Sequence, residues 1–268
     1  MKQQRVTKKQ LRTIWDGLTE LEQGTMTQFQ AFHFSSGSQM QRILYGSTLR
    51  EADTRNRNRV LKSLVQDELL MRLPRKAMPG SQNGSTEYIY TLSPLGHRLM
   101  WPESSTKMPY TPPADHKEHI EHAIEVTEVY ARLKEAFCAH KIEDILYAVG
   151  EPGCHVQFET IFKEKRTVKS DARFLFTADY EGSRCDNAWF LEVERSMQGE
   201  ALTIEKIQTY TAYEATLSRG DLMPNVLFVA YTPAHKAFLD RLFDNYALFA
   251  RNLFHSAFID NAVETMLT

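Results

Sequence analysis

The sequence predicts an α+β protein of two domains, and three observations carry that prediction. The first is a stretch at 102–115 in which Pro102, Pro109, Pro112 and Pro113 stand among small polar residues. It cannot continue a helix and reads as an extended linker. The second is charge. Residues 1–100 hold 15 Lys+Arg against 8 Asp+Glu, whereas the remainder holds 17 against 26. The near-neutral total of −2 therefore hides a basic module and an acidic one. The third is periodicity: helical spacing dominates before the linker, and apolar strands alternate with helices after it. These divide the chain into a domain at 1–101, the linker at 102–115 and a domain at 116–268.

Composition bounds the function classes. With 268 residues, 42% hydrophobic and 25% charged, the chain can bury real cores and is not a disordered polymer. It lacks a run of about 18 apolar residues, so no membrane span is expected. The basic start, Met1-Lys2-Gln3-Gln4-Arg5, has no apolar stretch behind it, which argues against a signal peptide and for the cytoplasm. Cys138, Cys154 and Cys185 are odd in number and scattered, as expected of reduced thiols, and match no zinc spacing.

In the first domain, helices are expected at about 7–21, 27–34 and 39–45. A longer one to about Leu70 is expected to be capped by Asp53-Thr54. On that helix Val60, Leu61, Leu64 and Val65 share one face, Arg55, Arg59 and Lys62 point away, and Arg57 sits in the exposed first turn. Met71 to Lys76, a Gly/Ser/Asn-rich stretch and Glu87 to Leu92 read as a β-hairpin wing, and Ser93-Pro94-Leu95-Gly96 opens a closing helix. Helices followed by a wing form the winged helix-turn-helix pattern. Arg55, Arg57, Arg59 and Lys62 on the helix, with Arg75 and Lys76 in the wing, are the candidate contacts to double-stranded DNA. The rival reading is a solvated basic face, or a winged helix that binds only protein.

In the second domain a long helix is expected over 115–140. Strands are expected near 156–162, 172–177 and 189–193, then a helix over 200–217. A buried strand at 225–231, a helix over 233–249 and a last strand near 255–259 follow. The order is α-β-β-β-α-β with an appended α-β unit. Alternation puts Phe190, Glu192 and Glu194 on one strand face and Trp189, Leu191 and Val193 on the other. Asp171 opens the preceding strand, and Lys206 and Tyr210 lie one turn apart on the next helix. Hard oxygen ligands from Asp171, Glu192 and Glu194 suit Mg2+ or Mn2+, with Lys206 placed to stabilise a phosphate. The rival reading is a wet strand face with Lys206 in a helix salt bridge to Glu200 or Glu205. The stripe His116, His119 and His122 lacks the surroundings of a zinc helix and reads as capping or interface.

These motifs resemble the replication-relaxation family of plasmid and mobile-element proteins. The resemblance rests on Lys169 to Asp171, Leu191-Glu192-Val193-Glu194, Lys206-Ile207-Gln208-Thr209-Tyr210, the His119/His122 helix, Glu159, and Tyr90 through Gly96. The second domain in turn resembles a PD-(D/E)xK, restriction-endonuclease-like core. That likeness implies metal ligation by Asp171 and Glu192, and Lys206 as a displaced catalytic lysine. Two positions depart from it: Ser170 replaces a proline, and Glu194 stands where a lysine is usual. A carboxylate there cannot supply positive charge to a developing phosphorane. The expected function is a duplex DNA-binding protein in replication, mobilisation or autoregulation, needing no cofactor to bind. A homodimer is expected, with a relaxase, replication protein or toxin as partner. The alternatives are a metal-dependent endonuclease and an antitoxin-type repressor.

Overall fold

A computed structural model describes residues 6–47, 50–73, 87–102, 117–180, 182–194, 199–218 and 220–268. The chain is mixed α+β and divides into two compact units, Met1–Thr127 and Glu128–Thr268. The division falls inside a helix, and 103–115 of the proposed linker lie outside the described residues.

The first unit begins with α1 (Lys8–Gly17) and α2 (Glu20–Ala31). A single first helix over 7–21 was expected, but Thr19 interrupts it. Its hydroxyl accepts from Glu22 N while Glu22 returns a bond to Thr19 N, a capping box that starts a new helix. β1 (Phe34–Ser36) and α3 (Gly37–Tyr45) follow, with Ser36 closing a second such box with Gln39. Ser35 and Ser36 thus end the strand, and Gly37 and Ser38 open α3. α4 (Glu51–Gln66) begins two residues before the expected Asp53-Thr54 cap; Arg50 occupies the N-cap without a side-chain bond.

β2 (Leu70–Leu73) and β3 (Ile89–Leu92) pair antiparallel, and β1 adds to the far edge of β3, giving the order β1-β3-β2. Arg75 and Lys76 lie outside the described residues. The closing helix α5 (Pro94–Met100) is capped by Ser93, whose hydroxyl accepts from Gly96 N and donates to Glu68 O. Gly96 is needed there, because a Cβ would stand 2.0 Å from the Leu69 carbonyl oxygen. The opening half of α6 (Lys117–Cys138) also belongs to this unit: Gln39 donates to Ile124 O and Thr127 to Phe34 O.

The second unit is built on a five-stranded sheet. Its strands are β4 (Asp144–Gly150), β7 (Ala172–Tyr180), β8 (Ser183–Val193), β9 (Asn225–Ala230) and β10 (Phe254–Phe258), in the order β10-β9-β8-β7-β4. β4, β7 and β8 run antiparallel, while β8, β9 and β10 are parallel. Two features differ from the expected elements. β4 takes the place in the sheet expected of the strand at 156–162. Residues 156–159 instead form β5 (Val156–Glu159) of a separate hairpin with β6 (Lys165–Val168). The signal at β4 was weak because it is an edge strand with three of its seven residues exposed and only one buried, so alternation is blurred.

α7 (Glu200–Glu214) and α8 (Pro233–Tyr246) cover one face, burying Phe190, Ile207, Tyr210, Phe228, Phe243 and Phe254 together. On the other face Phe174 stacks on Tyr130 of α6 at 6.5 Å. Residues 188–193 are buried on both faces, as a central strand between helical layers requires.

Candidate functional site

On α4 the apolar stripe Val60, Leu61 and Leu64 is buried, and helical geometry turns Arg55, Arg59 and Lys62 outward, all exposed. Arg55 pairs with Glu51 at 3.2 Å, with both side chains largely in solvent, so the pair is weak and readily exchanged for another anion. Arg59 donates to Asn56 at 2.7 Å, and among the described residues Lys62 has no ion-pair partner. Arg57 differs. It is half-buried rather than exposed, and its guanidinium donates to Gly37 O at 2.9 Å and to Asn58 at 2.8 and 3.2 Å. It fastens α4 to the first turn of α3.

The acidic motif lies at the opposite extreme of solvation. Glu192 and Glu194 are each 1% exposed, which removes the wet-face reading. They lie on the β8 face that also carries Phe190, as alternation predicts, but that face meets α7. Three residues of α7 at spacing i, i+3 and i+7 supply donors to both. Tyr210 OH donates to Glu192 Oε1 at 2.5 Å, and Lys206 Nζ to Glu192 Oε2 at 2.7 Å and Glu194 Oε1 at 3.2 Å. Thr203 Oγ1 donates to Glu194 Oε2 at 3.5 Å. Every carboxylate oxygen of the pair therefore has a donor, the condition under which two acids tolerate burial. Lys206 is bonded to the β8 acids, not to Glu200 or Glu205.

Burial raises the Glu192 carboxyl to about 7, against the opposing pull of Lys206 and with the help of Asp171. Burial alone would discharge Lys206, but Glu192 and Glu194 outweigh it and hold the ammonium well above its usual range. Burial and then the Glu192 charge push the Tyr210 hydroxyl upward, which keeps it a donor.

Asp171 lies half-buried one step beyond the Ala172↔Leu191 pair, across from Glu192. Its Oδ2 accepts from Val193 N at 2.6 Å, and its own N–H donates to Leu191 O at 2.9 Å. The side chain replaces a backbone acceptor where the β7–β8 ladder ends. Asp171, Glu192, Glu194, Lys206 and Tyr210 are thus brought together, as their order in the chain predicts. Among the described residues, no group of three or more His, Cys, Asp or Glu is disposed to hold a metal ion. As arranged, the glutamate oxygens face protein donors and do not fit a divalent cation. His119 rests edge-on against Phe34 at 6.1 Å, and His116 lies outside the described residues.

Sequence reasoning missed Thr203, although its spacing from Lys206 and Tyr210 is the signal that could have found it. Cys154, expected as a reduced thiol, is buried and pushed up to about 12 by that burial, and its S–H donates to Ser170 O at 2.8 Å. All three cysteines are free. Among the described residues no helix is long and apolar enough to cross a membrane.

Neither curated proteins nor solved structures give a match to this chain. The replication-relaxation family matches residues 26–225, a span that takes in α4 and all of Asp171, Glu192, Glu194, Lys206 and Tyr210. With well over half of its length matched, the chain belongs to the replication-relaxation family.

Proposed function

We propose that this protein binds double-stranded DNA through a winged helix-turn-helix formed by its first unit, in the replication or mobilisation of a plasmid or other mobile element. The observation that carries this reading is the outward face of α4. Arg55, Arg59 and Lys62 are exposed there with weak or no competing ion pairs, next to the β2–β3 hairpin. Cations held this way release counterions from phosphates at little cost to the fold. Family membership supports the biological setting. Two copies on a two-fold symmetric site would suit such a reader, and autoregulation of its own promoter is one place for that site.

The test is a fluorescence binding titration on duplex DNA from the element's origin and promoter regions, at several salt concentrations. The variant Arg55→Ala/Arg59→Ala/Lys62→Ala is expected to lose at least about tenfold in affinity. Its salt slope should flatten by about 2 to 3 in log–log terms, as three lost phosphate contacts require. Unchanged affinity in the variant would sink the reading.

A second reading is supported by the element order of the second unit. With the separate β5–β6 hairpin set aside, α6, β4, β7, β8, α7 and β9 run α-β-β-β-α-β, with Asp171 just before β7, Glu192 on β8 and Lys206 on the helix that follows. This suits a restriction-endonuclease-like core that now serves as scaffold. Cleavage by it would first require Lys206 and Tyr210 to release Glu192. Incubation with supercoiled plasmid and Mg2+ or Mn2+, beside Asp171→Ala, separates scaffold from endonuclease: nicking that the variant loses would establish the enzyme.

A further inference from the structure

The second unit carries a net excess of acids, yet Lys163, Lys165, Arg166 and Lys169 fall within seven residues of it, against Glu164 alone. These residues lie in and around β6, and they are exposed. Lys163 is paired with Glu159 at 3.1 Å and Arg166 with Glu164 at 2.9 Å. Among the described residues Lys165 and Lys169 have no ion-pair partner. A groove of about 750 Å3 runs between β6 and α7, with Lys165, Arg166 and Lys169 on one wall. Lys206, its side chain 30% exposed, reaches it from α7 beside Glu205.

A second groove, of about 310 Å3, shares Arg166 and Gln208 with the first and so adjoins it. Its chemistry is different. Ile161 and Phe162, at the tip of the β5–β6 hairpin, are 67% and 79% exposed, and Tyr246 closes the other side. Large apolar side chains this exposed gain nothing for the fold where they stand.

We infer that these adjoining grooves together bind single-stranded nucleic acid, with its phosphates along Lys165, Arg166 and Lys169 and a base stacked on Phe162. A basic track joined to an exposed aromatic is the combination that unpaired strands require: the cations meet the backbone, and the ring meets a base face. A duplex offers the same phosphates but keeps its bases stacked inside, so Phe162 and Tyr246 would find no partner. The grooves belong to the second unit and are independent of α4. A protein with both surfaces could hold a duplex and an opened strand at once.

The experiment titrates full-length protein into fluorescein-labelled dT20, rU20 and a 20-base-pair duplex. Lys165→Glu/Lys169→Glu is expected to weaken dT20 or rU20 binding at least about tenfold and to flatten its salt slope by about 1.4, the value for two phosphates on a single strand. Phe162→Ala is expected to weaken the same strand about fivefold or more. Duplex affinity should not change in either. Arg55→Ala/Arg59→Ala should do the reverse, weakening the duplex and sparing the strand, so failure here and failure of the winged-helix reading are told apart. Unchanged melting by circular dichroism checks the fold, and Lys165→Gln/Lys169→Gln replaces the charge reversal if its melt drops. The inference is overturned if wild-type protein fails to bind either strand, or if the charge variant keeps full strand affinity. It is also overturned if Phe162→Ala binds as wild type, or if duplex binding falls in parallel.

Discussion

The outer face of α4 and the β8–α7 contact use the same chemistry to opposite ends. Each presents cationic charge from a helix face, several side chains on α4 and the single Lys206 on α7. On α4 the cations stand in water with weak or no ion pairs, so they remain available to a polyanion. On α7 the cation faces two buried carboxylates, and its charge is spent within the fold. The difference is solvation. An exposed ion pair contributes little because water competes for both partners, whereas a buried one becomes indispensable once formed, since removing either partner strands the other.

The largest break in this comparison should come from Lys206→Ala. It leaves Glu192 and Glu194 buried without their cation and should cost about 3–5 kcal/mol in urea unfolding. Lys206→Met with both Glu192→Gln and Glu194→Gln should recover much of that loss, because a neutral set needs no counter-charge. A Lys206→Ala protein as stable as wild type would remove the contrast between the two regions.

Tyr210→Phe deletes one donor and keeps the ring against Phe190 and Phe254. A loss of about 1.5–3 kcal/mol is expected for a bond to a charged acceptor. The pH dependence sharpens the same point. Burial holds the folded Glu192 carboxyl near 7, above the ordinary glutamate value of about 4.5 in an unfolded chain. Its contribution is therefore fully present below about pH 4.5 and is lost as pH rises toward 7, when the unfolded chain releases the proton first. Melting temperature should fall across that window, and Glu192→Gln should flatten the slope. A slope unaltered by that substitution would assign the dependence to other groups.

The smallest effect distinguishes two neighbours on α4. Arg57→Ala removes the bonds to Gly37 and Asn58 and should cost about 1 kcal/mol, while Arg55→Ala should stay within about 0.5 kcal/mol. In DNA titrations the order should invert, with Arg55 the more damaging change. Equal behaviour of the two in both assays would mean that Arg57 is not the structural member of the set.

The sequence by itself determined the α+β class, the long helices α4, α6, α7 and α8, the strand face shared by Phe190, Glu192 and Glu194, and the pairing of Lys206 and Tyr210 on one helical turn. Those features follow from local periodicity, where side-chain spacing of 2 or 3.6 residues decides which groups share a face. Capping chemistry was equally local: the Thr19–Glu22 box was present in the sequence even though a single helix was expected across it.

Only the tertiary structure decided what each face meets. It placed β4 in the sheet and set the hairpin at 156–168 aside, because strand pairing joins residues far apart in the chain. It turned Arg57 inward to Gly37 while its neighbours stayed in water. It also laid α7 across the two glutamates, so that each of their oxygens meets a donor from that helix. Whether a charge is free to act depends on the water and donors around it, and those come from distant segments of the chain.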